Sequence, residues 1–325
     1  MESHELVKKT ILGQNDTDIT PLYGWVFANM EKQITSQFGS VRGFEDAYEF
    51  DMAHIFGGPS VFNWDAIQAV RDEEGEVTPE ALLSIPWTDP DREADYANIK
   101  AELAHQRGAR GRFCYMQTPG IFEALNDAFG IEDHLCWLAM YPDEMAEVYR
   151  RQAAWNLHFI RNTSDLGIDM VHISDDWGAQ NSLMFSPQVW RDMIFPHHRD
   201  MVAEAHKCGK LASLHSDGNI NSVLDGIVEI GYNMIHPYQE TAGMSYDTYL
   251  KQYADSFGIL GGLCIQSTLG FGDYARLEGE IRRVFNLLKG KRWVFCTTHF
   301  VQDHCSLEEL VFAYDTALKL SGKKS

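Results

Sequence analysis

The chain has 325 residues, 45% of them hydrophobic, enough to bury a sizeable core, and α/β barrels reach this length undivided. A formal net charge of -20 argues against nucleic acid or an anionic membrane as partner, since both call for clustered lysine and arginine. Met1 to Gly13 holds no apolar core of signal-peptide length, no later run is apolar for long enough to span a bilayer, and the six cysteines show no paired spacing, so a cytoplasmic protein with mostly free thiols is expected.

Short β-rich runs between turn signals predict eight strands: Ile19 to Val26, Tyr48 to Ile55, Arg112 to Gln117, Asp169 to Ile173, Lys210 to Leu214, Tyr232 to Ile235, Phe257 to Leu260 and Arg292 to Cys296. Helical periods separate them, which predicts an α/β chain folded as one (β/α)8 TIM barrel domain over residues 1–325. The connection from Phe62 to Gly111 is too long for a simple unit. It is polar and charged, and Thr78-Pro79 and Asp89-Pro90 read as helix starts, so a helical insertion between the second and third strands is expected, either a solvated excursion or a lid. Further on, Ser186 with Pro187 opens a helix that Pro196 should kink and Gly209 should end. Ser306 and Glu309 form a capping box before a closing helix whose Leu307, Leu310, Val311, Tyr314 and Leu318 share one face.

Three predicted strands run into polar, ligand-competent residues: Ser174-Asp175-Asp176-Trp177-Gly178, His215-Ser216-Asp217-Gly218-Asn219 and His236-Pro237-Tyr238-Gln239. In a closed parallel barrel such loops open on one face, where distant residues converge. Asp175 and Asp176 are paired carboxylates fit for catalysis, for binding, or for capping the next segment. His215 with Asp217 reads either as a pair of zinc ligands or as a hydrogen-bonded pair that organises a turn. Asp51 and His54 end the second strand in the same way. Cys264 and Cys296, beside apolar strands, read as small buried hydrophobes or as ligands, and His299 sits in a loop between Thr298 and Phe300. His197, His198 and His206 fall on a helix and are read as surface or core residues; His304 and Cys305 are read as loop residues. Gly261-Gly262 is too short for a phosphate loop and permits close approach of a flat ligand. Tyr115, Gln117, Trp177 and Gln239 are the expected substrate contacts, and specificity would lie in aromatic residues such as Trp25, Phe27, Tyr115, Phe122 and Trp177.

Several ordered blocks resemble the uroporphyrinogen decarboxylase superfamily, which includes the cobamide-dependent methyltransferases. They are Asp175 to Gly178, Ser186-Pro187 with Trp190-Arg191, His215 to Asn219, Gly231 through Pro237 with Gln239, Gly261-Gly262 with Gln266, and Ser306 through Glu309. The resemblance runs from about Gly108 to the C-terminus and implies a (β/α)8 barrel with a cleft at the C-terminal ends of its strands. Porphyrinogen decarboxylases carry an early Arg-Gln-Ala-Gly-Arg segment that binds substrate carboxylates. Here Arg42 is the only arginine before Arg71. The methyltransferases carry His-x-Cys and a later Cys as zinc ligands. This chain has His215-x-Asp217, with His299 at the later position, Cys296 shortly before it, and Cys264 or Glu240 as further candidates.

A His/Asp/His site is harder than a thiolate site and would leave zinc electrophilic, which suits polarising an ether oxygen rather than activating a thiol. The expected function is therefore a cobamide-dependent methyltransferase that moves a methyl group from a methylated small molecule, in the first place an aryl methyl ether, to a separate corrinoid protein. Its metal ligands would be His215, Asp217, Cys264 and His299, and its catalytic residues Asp175, Asp176 and His215. The chain carries no Asp-x-His-x-x-Gly segment, the motif that supplies histidine to cobalt, so the corrinoid would come from the partner. The alternatives are a metal-independent decarboxylase or lyase and a non-catalytic carrier, and the last leaves the convergent His and Asp residues unexplained.

Overall fold

A computed structural model describes residues 2–26 and 28–323 and shows seven strands alternating with helices. These are β1 (Met52–Ile55), β2 (Phe113–Pro119), β3 (Met170–Ser174), β4 (Leu211–His215), β5 (Met234–His236), β6 (Gly258–Leu263) and β7 (Trp293–Thr297). The chain is therefore α/β, with the strand, loop and helix repeat expected for a (β/α) barrel. Its residues group into two compact units, one formed by 1–53, 106–114 and 233–325, the other by 54–105 and 115–232.

In the unit that contains residues 233–325, β5, β6 and β7 pair in parallel, Ile259 lying between Ile235 and Trp293. The first predicted strand does not form as one. Its only ladder contact is an isolated parallel bridge between Leu22 and Phe295 of β7. Pro21 has no N–H to give, and the Leu22 N–H donates to the Asp51 carboxylate at 2.8 Å, so a side chain stands where a regular ladder needs a main-chain partner. The segment is still held in place. Tyr23 N–H reaches the Phe295 carbonyl at 2.9 Å, and Asp51 N–H reaches the Leu22 carbonyl at 2.9 Å. Asp51, a candidate site residue, therefore acts as a splice. The closing helix Leu307–Ser321 starts as expected, with Ser306 Oγ accepting from the Glu309 N–H.

In the other unit β2, β3 and β4 pair in parallel, with Gln117 beside His172 and Ser174 beside His215. Their buried residues are mostly apolar, as strands covered on both sides favour, with Thr118, His172, Ser213 and His215 as the buried polar exceptions. Between β1 and β2 the long connection is helical, with Trp64–Glu74, Pro79–Ser84 and Ala97–Leu103. Thr78 caps the second of these through the Ala81 N–H, as its sequence predicts. Asp89-Pro90 does not start a helix; the Asp89 carboxylate instead accepts from the Asp91 N–H in a turn, and helical structure begins at Glu93. Pro196 acts one turn earlier than a simple kink: a π-turn over Trp190–Ile194 relieves the missing N–H before the helix Phe195–Lys207.

All six cysteines are free thiols. No helix among the described residues is long and apolar enough to cross a membrane. Phe27, one of the aromatic residues expected to set specificity, lies outside the described residues.

Candidate functional site

The register of β3 against β4 places Ser174 beside His215, and the ladder continues one step further through the Asp175 N–H to the His215 carbonyl at 2.9 Å. The two loops that follow are therefore launched side by side. They are then locked by glycine: a Cβ on Gly178 would lie 2.4 Å from the Asp217 carbonyl oxygen, and one on Gly218 would lie 2.5 Å from the Gly178 oxygen. Gly218 also holds φ at +77°, where only glycine sits without strain. Asn219 N–H to the Ala179 carbonyl and Trp177 N–H to Ser216 Oγ complete the seam.

This seam brings three ligand atoms together. One atom each from Asp176, His215 and Asp217 lie within 4.8 Å of one another. His215 Nε2 is 3.6 Å from Asp176 Oδ1, which also accepts from the Asp217 N–H at 2.7 Å. Burial pushes the Asp217 carboxyl up to about 6, with the Asp176 charge adding to the rise and His215 opposing it. A divalent cation would remove that penalty, and one imidazole nitrogen with two carboxylates is a three-ligand set that leaves a position for a substrate oxygen. The donor chemistry thus fits a catalytic zinc.

Asp175 is placed differently from its neighbour. It is completely buried, and its oxygens accept from the N–H groups of Ile121 at 3.0 Å, Phe122 at 2.9 Å and Glu123 at 2.6 Å. His198 Nε2 is 2.8 Å away, with His198 Nδ1 in turn 2.6 Å from the Tyr232 hydroxyl. Burial works to raise the Asp175 carboxyl, but the hydrogen bond and charge of His198 and the Glu123 N–H outweigh it and hold it below its ordinary value. Asp175 thereby clamps the loop after β2. Trp177 is also fully buried, its ring packed 4.8 Å from His198 and 5.5 Å from Trp190.

The clamped loop delivers Glu123, which the sequence reading missed. Its carboxylate accepts from Ser174 Oγ at 3.0 Å. Burial pushes its carboxyl up to about 8, reinforced by the charges of Asp176 and Asp175. Glu123 lines a cavity of about 440 Å³ together with Gln117, Pro119, Ser174, Asp176 and Met184. Gln117 Oε1 is fixed 2.7 Å from His54 Nε2, and the His54 ring stacks on Tyr115 at 4.3 Å. His172, also missed, is completely buried on β3 with Nδ1 2.7 Å from Ser213 Oγ and its ring centre 6.0 Å from that of His215. Burial, then the His54 and His215 charges, hold its imidazole well below the ordinary value, so it is neutral. The signal for Glu123 was present: it follows β2 as Asp176 follows β3, once β2 is carried to Pro119.

The remaining expected site residues belong to the other unit. There a cavity of about 300 Å³ is lined by Gln239, Glu240, Cys264, Ser267, Arg283 and Thr298. Gln239 Nε2 donates to Gln266 Oε1 at 2.5 Å, and Ser267 Oγ donates to Cys264 Sγ at 3.2 Å. Arg283 pairs with both Glu240 and Glu280, which gives Glu240 a structural partner. His299 Nδ1 is 3.3 Å from the Phe300 carbonyl, and its ring centre is 6.3 Å from that of Trp25. Cys296 is buried within β7, and burial pushes its thiol far up, as befits a small core residue. The ligand set read from sequence thus draws His215 and Asp217 from one unit and Cys264 and His299 from the other. The third ligand atom grouped with His215 and Asp217 is that of Asp176.

The sequence profile of the uroporphyrinogen decarboxylase (URO-D) family matches residues 120–319, from the clamped loop to the closing helix, and the chain belongs to that family. No curated protein matches it. Among solved structures, it is similar to a methyltransferase from Methanosarcina mazei, with TM-score 0.71 and 12% identity over 97% of this chain and 98% of that one. It is also similar to a B12-independent methionine synthase from Shewanella sp. W3-18-1 in complex with selenomethionine, with TM-score 0.53 and 10% identity over 93% of this chain and 92% of that one. At these identities the likeness is one of fold.

Proposed function

We propose that this chain is a methyltransferase that takes a methyl group from a methylated small molecule, in the first place an aryl methyl ether, and passes it to a corrinoid held by a separate protein. The observation that carries the reading is the convergence of Asp176, His215 and Asp217 at the ends of β3 and β4. The URO-D family membership and the fold shared with the Methanosarcina mazei methyltransferase support it.

On this reading Asp176, His215 and Asp217 would hold zinc, which when bound supplies the Lewis acidity that an alkoxide or phenoxide leaving group requires. Two carboxylates in place of thiolates keep that acidity high. The chain's own groups do the rest. The cavity beside Asp176 receives the donor, with the Gln117 amide fixed by His54 to orient it and the Glu123 carboxyl placed to hydrogen-bond the donor oxygen. Asp175 and His198 act indirectly, by holding Glu123 and the cavity wall in position. The acceptor's electron pair would form the new bond to the methyl carbon as the carbon–oxygen pair stays on the oxygen, which takes the proton of the Glu123 carboxyl.

The alternative is a metal-independent decarboxylase or lyase, for which the family name is the support. It would need cations for substrate carboxylates, and the cavity wall offers none among the described residues. Two measurements test the choice. Protein purified without chelator should carry one zinc per chain, and mixing it with methyl ethers and a cobalt(I) corrinoid should give the methylcobalt spectrum. Metal-free protein that releases carbon dioxide from a carboxylated substrate without corrinoid would overturn the transferase reading.

A further inference from the structure

The cavity beside Asp176 has a one-sided charge. Its wall carries the carboxyl groups of Glu123, Asp127 and Asp176 with uncharged Gln117, Ile131 and Met184 among them, and no lysine or arginine among the described residues that line it. The guanidinium bonded to this stretch, that of Arg71, gives its hydrogen bonds to the main-chain oxygens of Asp127 and Ala128 and to Gln68. A divalent cation at Asp176, His215 and Asp217 would offset two carboxylates, and Glu123 is uncharged while it keeps its proton, so Asp127 is the charged carboxylate left at the wall. The formal charge of the whole chain, -20, adds a field of the same sign.

Resting on the reading of this cavity as the methyl-donor site, we infer that the donor is an uncharged methoxyarene and that a ring carboxylate is excluded by charge. A carboxylate brought here would lose water without gaining a bidentate arginine or a lysine, and its one available cation would be the metal itself, which would misplace the ether oxygen. An uncharged ring asks less of the wall. It needs apolar contact, which Pro119, Ile131 and Met184 give, and a few hydrogen bonds, which the Gln117 amide can supply. Specificity of this kind comes from the repulsive element as much as from the attractive one. Asp127 is its outermost member: exposed, outside the proposed metal set, and bonded to Arg71 through its main chain rather than its carboxylate.

The test compares an ortho-methoxyphenol with the same ring carrying a carboxylate, by calorimetric binding to the zinc-loaded chain and by methyl transfer to a cobalt(I) corrinoid. The uncharged ring should bind about tenfold tighter or more, and Asp127→Lys should shrink that gap to about threefold. Equal or tighter binding of the carboxylated ring overturns the inference, as does failure of both rings to bind. A methoxyphenol that binds with the expected preference yet yields no methylcobalt overturns the transferase reading instead and leaves the charge selectivity standing.

Discussion

Asp175 and His198 meet at 2.8 Å with neither side chain exposed. The pair ties the helix Phe195–Lys207 to the loop after β2, because the same carboxylate that faces His198 also accepts from three successive N–H groups, those of Ile121, Phe122 and Glu123. A carboxylate so surrounded is costly to leave half-paired.

Replacing His198 by Ala should therefore destabilise the protein by about 1 to 3 kcal/mol, the range for leaving a buried hydrogen-bonding group without its partner. Calorimetric unfolding gives the value. A loss under about 1 kcal/mol would show that the loop N–H groups suffice alone and that His198 is ordinary core.

The metal set gives a second prediction. His215→Ala, Asp176→Asn and Asp217→Asn should each lower zinc content, read by elemental analysis, while the far-ultraviolet circular dichroism stays native, because His215 ends β4 and the two aspartates lie in the loops beyond the strands. Asp217→Cys should keep zinc and slow ether cleavage, since a thiolate makes the metal less electrophilic. Full zinc in His215→Ala would remove His215 from the set.

His134 supplies a pH prediction. It is buried between Asn126 and Tyr149, each 2.8 Å from one ring nitrogen, and burial pushes it down from 6.5 to about 3, with Asp175 opposing. The folded state holds the neutral ring, so its contribution to stability is complete above the unfolded value of 6.5 and is lost as pH falls through about 3. The melting-temperature advantage of the native chain over His134→Gln should shrink steadily as the pH is lowered from 7 to about 4. An advantage independent of pH would show that the ring takes up a proton without penalty.

Glu123 shifts in the opposite sense. Its carboxyl rises from 4.5 to about 8, so the stability linked to its protonated form is complete below 4.5 and is lost as pH rises through about 8. The carboxyl stretch removed by Glu123→Gln in difference infrared spectra should disappear from the native protein near pH 8 in metal-free buffer. A carboxylate signal already complete at about pH 6 would contradict the burial assigned to it.

Much of this was legible in the chain. Apolar runs ending in Asp176, His215 and Asp217 point to their loops because a parallel strand buried on both faces must be apolar until it reaches the surface. What could not be read depends on partners distant in sequence. Ile19 to Val26 has the composition of a strand, but Pro21 and the Asp51 carboxylate reduce it to one bridge. Asp175 and Asp176 look interchangeable as neighbours, and only the Ile121 to Glu123 loop and His198 separate a clamp from a ligand. Glu123 was hidden by ending β2 at Gln117, two residues short of Pro119.

The bridge between Leu22 and Phe295 also bears on the order in which a growing chain can settle. The residues that offer Asp176, His215 and Asp217 all belong to the unit that ends at Tyr232, so that unit is complete before β5, β6 and β7 have been synthesised. Leu22 finds Asp51 early, but the Tyr23 N–H and the Pro21 carbonyl beside it have to wait for Phe295 of β7. During that interval Asp176, His215 and Asp217 have all been made, while Leu22 still lacks Phe295 as its bridge partner.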